Sequence, residues 1–127
     1  MNAKRESKTF QLKQLGPVTL VQPVEAEIVS RNLINDLSDD LLELVNTQQP
    51  KHLVLSLKRV TRYSSEAIGG LIRVVRRVKA YGGQMKLCMN EDFRDLFRVT
   101  HLDGTLFDIY DTESEAVAAF FEGGDLL

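Results

Sequence analysis

"HLVLSL", residues 52–57, is the stretch whose reading decides the fold. Leu53, Val54, Leu55 and Leu57 follow one another with almost no polar alternation. A strand with one wet face alternates, whereas a continuous apolar run fits a strand covered on both faces, as in a parallel sheet. These four residues are therefore predicted to lie in a central strand buried on both sides.

On the N-terminal side, Leu33, Ile34, Leu37, Leu41, Leu44 and Val45 recur at steps of three and four, with Asn35, Asp36, Asp39, Asp40 and Glu43 between them. That spacing predicts an amphipathic helix with one buried stripe. Ser30 is its expected cap, and Pro50 forbids continuation. Further upstream, "TFQLKQL" and "VTLVQPV" flank Gly16-Pro17. They read as an antiparallel hairpin, with Pro23 at a strand end or on an edge, where its missing N–H is harmless. On the C-terminal side, Ile68, Leu71, Ile72, Val75 and Val78 predict a second helix from about Ser65, ended by Gly82-Gly83. Gly69-Gly70 inside it suggests close packing of helix on sheet. "QMKLCM" reads as another strand, followed by a helix that Asn90 can cap and that carries Phe93, Leu96 and Phe97. "LFDIY", residues 106–110, reads as a last strand. Thr112-Glu113-Ser114-Glu115 then has capping-box spacing, ahead of a helix that buries Ala116, Val117 and Phe120 and is closed by Gly123-Gly124. The order β-β-α-β-α-β-α-β-α predicts an α/β domain in which crossovers join parallel strands.

The 127 residues suffice for one domain, with residues 1–8 expected to be a frayed N-terminus and 123–127 a short tail. No apolar run reaches bilayer length, and "MNAKRESKTF" does not read as a secretory signal. Cys88 is the only cysteine, which points to a reducing, cytoplasmic setting. A net charge of −2 argues against general nucleic-acid binding. The charge is nevertheless segregated. Lys58 to Lys79 holds seven bases and one acid, Glu66, whereas Asp103 to the end holds seven acids and no base.

Enzyme templates find little purchase. No glycine-rich run leads into Lys-Ser or Lys-Thr, and His52, His101 and Cys88 are scattered, so neither a phosphate-cradling loop nor a metal centre is expected. Cys88, between Leu87 and Met89, reads as a small buried hydrophobe. The strand 52–57 continues as Lys58-Arg59, without the carboxylate of a response-regulator receiver. Attention falls instead on Ser64 and Ser65, just ahead of the second helix. Ser64 reads as the cap and Ser65 as a first-turn residue, where a phosphate would meet the helix's positive end.

The run from His52 to Phe120, "HLVLSLKRVTRYSSEAIGGLIRVVRRVKAYGGQMKLCMNEDFRDLFRVTHLDGTLFDIYDTESEAVAAF", resembles the STAS domain of anti-sigma-factor antagonists. That family shows an apolar strand, a V-T-x-x-D-S-S-G-L-G-x-L segment, a basic helix and G-G before the next strand. T-x-L-D-x-L-F-x-I-Y and an acidic, alanine-rich helix follow. The likeness covers about residues 16–121 and sets the expected STAS domain at 9–122. It implies a small mixed sheet with helices packed largely on one side. It also implies a regulatory binding module without catalysis or cofactor, whose partner is an anti-sigma factor serine kinase and whose phosphate is removed by a PP2C-type phosphatase. Aligned on Val60-Thr61 and Gly69, the phosphoacceptor position falls on Ser65, with Ser64 the second candidate. Ser64 stands where the family has aspartate, and Glu66-Ala67 replaces Ser/Thr-Gly. Arg62, Tyr63, Ser64, Ser65, Glu66, Gly69 and Arg73 are the implied partner-binding residues. STAS domains lacking the aspartate include scaffolds, sensors and transporter-associated subunits, which is the alternative function.

Overall fold

A computed structural model describes residues 9–99 and 107–122, less the side chains of Leu96, Val99 and Glu122. The expected frayed start, the tail at 123–127 with its Gly123-Gly124 stop, His101, and the first residue of "LFDIY" lie outside the described residues.

The hairpin forms as read: β1 (Phe10–Leu15) pairs antiparallel with β2 (Val18–Pro23). Gly16 supplies the turn, with a φ of 62° that a residue bearing a Cβ seldom adopts. β2 is no edge strand, because β4 (His52–Ser56) pairs parallel along its other side. Pro23 is tolerated there because the β2–β4 ladder reaches only Val21↔Leu55, so no ladder bond needs its N–H. β6 (Gln84–Cys88) and β7 (Asp108–Tyr110) continue the parallel ladder, giving the order β1-β2-β4-β6-β7. The run that decided the fold is central: Leu53, Val54, Leu55 and Leu57 are each fully buried, Leu57 just beyond the end of β4.

Two apolar layers sandwich the sheet. On one face, Val21, Leu53, Leu55, Met85 and Leu87 meet α1 (Arg31–Gln48), α2 (Ser65–Ala80) and α3 (Glu91–Val99) through Ile34, Leu37, Leu41, Leu71, Val74, Val75 and Phe97. On the other, Val18, Leu20, Val54 and Cys88 meet α4 (Glu113–Glu122) through Ala116 and Phe120. Three helices on one side and one on the other give the lopsided mixed α/β architecture that the resemblance implies.

The caps fall where short polar side chains can take up orphaned amides. Ser30 accepts from the Leu33 amide at 3.1 Å, and Thr112 from the Glu115 amide at 3.0 Å. Asn90 caps differently: its carbonyl accepts from Phe93 and Arg94, while its side-chain amide donates to the Lys58 carbonyl. α1 ends at Gln48, two residues before Pro50, and its cap residue Gln49 takes a left-handed φ of 47°. Past α2, Gly82 turns the chain with a φ of 89°.

Two readings change. The segments between β2 and α1 and between β4 and α2 contain short strands, β3 (Glu27–Ile28) and β5 (Arg62–Tyr63), paired parallel in a separate ladder. And Gly70 brings helix to helix, not helix to sheet. A Cβ there would collide with Ser38 Oγ of α1 and lie 3.3 Å from Ser38 Cβ, while Gly69 has open space.

Candidate functional site

Ser64 and Ser65 stand where β5 turns into α2. The β3–β5 ladder holds that turn in place: Ser64 N donates to the Ile28 carbonyl at 3.2 Å, and the Thr61 and Arg62 amides both donate to the Ala26 carbonyl. Ser64 is the N-cap, with extended backbone (φ −77°, ψ 157°) and its hydroxyl accepting from the Ala67 amide at 3.2 Å. Its oxygen is thereby committed to the helix. Ser65 is the first residue of α2 and is exposed, and Glu66 follows it in the same turn.

The structure brings most of the implied residues together, with one correction. Arg62, Ser65, Glu66 and Arg73 are exposed, and Ser64 and Gly69 are half-buried. Tyr63, expected to touch a partner, is instead buried in the main core beside Phe93, its hydroxyl donating to the Ala67 carbonyl at 3.4 Å. Alternation explains this, since in β5 one of two successive side chains must face inward. Burial pushes its phenol well above the usual tyrosine range. Tyr63 holds the loop against the core and offers it no contact surface.

Two exposed ion pairs flank the serines. Arg31, first residue of α1, meets Glu66 at 3.8 Å, and Arg62 meets Glu27 across the β3–β5 ladder at 3.8 Å. Pairs this exposed contribute little stability, so they shape the local charge more than they hold the fold. Arg73, Arg76, Arg77 and Lys79 continue the positive surface along α2. Sequence reasoning missed Arg31 and Glu27, because two-residue strands carry no periodic signal. The Ser30 cap was the one hint that a second helix N-terminus lay close by.

The remaining chemically capable groups sit elsewhere. His52 packs edge-on against Phe120, ring centres 5.0 Å apart. Cys88 is buried, and burial pushes its thiol up despite a hydrogen bond with Ser56. Among the described residues no group of three His, Cys, Asp or Glu could hold a metal. Beneath the start of α4, Glu113 accepts from Ser56 Oγ at 2.5 Å and from Gln22 Nε2 at 3.0 Å. The sequence pointed to this carboxylate only as part of a cap. Burial alone would raise its pKa; the hydrogen bonds from Ser56 and Gln22, with Lys13 and Arg59 nearby, hold it below the ordinary value. A carboxylate so depressed stabilises the fold above the unfolded-state value of 4.5, and that share is lost as pH falls through the lower folded value. In urea melts across the acid range, Glu113→Gln is therefore expected to be less stable at neutral pH and to lose less as pH falls. An acid limb as steep as in the parent chain would remove Glu113 from this role.

The arrangement at Ser64–Ser65 is a fixed backbone turn that presents one uncommitted serine, with a basic helix face behind it. The profile of the STAS domain matches residues 9–116. The chain belongs to the STAS family. Solved structures agree with the fold of this STAS domain. The Thermotoga maritima protein TM1081, an anti-sigma factor antagonist by assignment, superposes with a TM-score of 0.77 at 21% identity, over 89% of this chain and 95% of its own. An anti-sigma factor antagonist from Mycobacterium paratuberculosis gives 0.75 at 21% identity, over 87% and 92%. The Bacillus cell fate determinant SpoIIAA, in its phosphorylated form, gives 0.65 at 16% identity, over 87% and 97%. Among the described residues, no helix of this STAS domain is long and apolar enough to cross a membrane.

Proposed function

We propose that this STAS domain is a cytoplasmic anti-sigma factor antagonist that binds a kinase-type anti-sigma factor and is switched by phosphorylation of Ser65. The observation that carries the reading is the division of labour between the two serines. The Ser64 hydroxyl is taken up as the cap, while Ser65 is exposed at the first position of α2. The kinase would transfer the γ-phosphoryl group of ATP to Ser65 Oγ, the serine proton leaving to solvent through the kinase's base and ADP departing. A phosphate there faces the positive end of a 16-residue helix, so the domain tolerates it. The same phosphate changes the charge of the docking surface made by Arg62, Ser64, Glu66, Gly69 and Arg73, and the partner lets go. A PP2C-type phosphatase would hydrolyse the ester and reset the protein. That SpoIIAA has been solved in a phosphorylated form is in keeping with such a cycle.

One observation favours a second reading. Ser64 replaces the family's aspartate, and the acid on the far side of Ser65, Glu66, already pairs with Arg31. A scaffold, sensor or transporter-associated subunit that docks through this turn without accepting phosphate would also fit.

The test begins with capture of the partner on the immobilised domain, followed by incubation with ATP and peptide mass spectrometry. A single phosphate on Ser65, absent from Ser65→Ala, is expected. Ser65→Ala should keep its stability, whereas Ser64→Ala should lose about 0.5–2 kcal/mol through the missing cap and still accept phosphate. Phosphate on Ser64 would reverse the assignment. No phosphate with an active kinase would leave the turn as a fixed docking surface, as in the second reading.

A further inference from the structure

Among the described residues, the sheet has two open edges of different character. At one, β7 is three residues long and opens with Asp108, which Lys86 holds at 3.3 Å. Short, charged edges discourage pairing. At the other, β1 runs six residues, and every side chain from Gln11 to Leu15 is exposed. It contains no proline and a single charge, Lys13.

The hydrogen bonding of the hairpin fixes which groups face out. The Val24 amide donates to the Thr9 carbonyl at 3.0 Å, so Thr9 and, by alternation, Gln11, Lys13 and Leu15 aim their backbone groups at β2. Phe10, Leu12 and Gln14 therefore aim theirs outward. An antiparallel copy of β1 must match these outward residues with each other, which leaves few registers. One puts Lys13 opposite Lys13 of the second copy, with like charges face to face. The register centred on Leu12 avoids this. It sets Leu12 opposite Leu12, Phe10 opposite Gln14, and Lys13 opposite Gln11. It also covers an apolar side chain that is 43% exposed in the single chain.

We propose that β1 is a self-association edge, through which two copies of this chain pair antiparallel about a two-fold axis at Leu12 and join their sheets into one of ten strands. Because the axis is normal to the sheet, the parallel strands of the two copies run in opposite directions. The two Ser65 turns then lie at opposite ends of the dimer, each free to take a partner. The edge and its register stand apart from the phosphorylation reading.

Disulfide trapping tests it. In this register the two Leu12 Cα atoms are hydrogen-bonded partners about 5.5 Å apart, inside the range of about 4.4–6.8 Å that a disulfide spans. Strand spacing and rise put the two Lys13 Cα atoms about 8 Å apart, beyond it. Buried Cys88 does not compete. Under mild oxidation, Leu12→Cys is expected to cross-link at least tenfold faster than Lys13→Cys. Sedimentation from micromolar to millimolar concentration should show a reversible dimer in the parent chain. Gln14→Pro removes an outward-facing N–H and also the side-chain bonds to Gly16 and Thr19. It should abolish that dimer, whereas Gln14→Ala, which loses the same side-chain bonds and keeps the N–H, should retain it. A parent chain that stays monomeric throughout, equal or reversed cross-linking rates, or a dimer that survives Gln14→Pro would each overturn the proposal. A monomer whose β1 amides become protected only when the captured partner is added would give the edge to that partner instead.

Discussion

Leu55→Ala is expected to remove about 2–5 kcal/mol, much of the 5–15 kcal/mol that holds a typical domain together. Leu55 is fully buried and pairs with Val21 on one side and Leu87 on the other, so β4 links the hairpin to the rest of the sheet. Its side chain lies in the larger apolar layer, among residues of the sheet, α1 and α2. Deleting it leaves a cavity that backbone pairs on both flanks prevent from closing. Urea unfolding read by far-UV dichroism checks this. A midpoint within error of the parent's would mean that β4 does not occupy the centre. Because the stretch from Leu57 to Ser64 follows directly from β4, the variant should also loosen the Ser65 turn, seen as faster amide exchange at Ser64 and Ala67.

Gly70→Leu is expected to be the other severe change, costing about 3 kcal/mol or more as overpacking between α1 and α2. At this contact even a Cβ would collide with Ser38 Oγ, so a longer side chain must push the helices apart. α2 carries Ser65 at its start and Arg73 on its surface, so partner binding should fall along with stability. Gly70→Ala is the finer instrument. It should destabilise alone yet recover in part with Ser38→Ala, which removes the colliding oxygen and leaves a tight 3.3 Å approach to Cβ that a shift of a few tenths of an ångström relieves. A double-mutant cycle without coupling between positions 38 and 70 would show that the two do not meet.

These two positions mark the limits of what the sequence discloses. Leu55 was legible because its run is apolar without alternation, a pattern that few environments other than a doubly covered strand accommodate. The helices were legible for the same kind of reason. Ile34, Leu37, Leu41 and Leu44 repeat at helical spacing, and Ser30, Ser64 and Thr112 precede their helices as capping residues do. Gly70 was legible as a place of close approach, but not what approaches it, because a glycine carries no mark of its neighbour. Tyr63 was misjudged because a two-residue strand is too short to reveal which of its side chains faces inward.

The amino-acid sequence by itself determined the helices, the strands of the larger sheet, the order of both and the cap at Ser64, because each rests on residues within one or two turns of each other. It also singled out Ser65 as the residue next to that cap. Tertiary structure alone decided what surrounds it, and which distant groups meet elsewhere in the fold. The β3–β5 ladder joins residues 27–28 to 62–63, Arg31 reaches Glu66, and Glu113 gathers Gln22 from 91 residues away and Ser56 from 57. Such contacts depend on the relative placement of whole elements, set by how the two apolar layers fill space around β4, and side-chain packing of that kind leaves no period in the sequence.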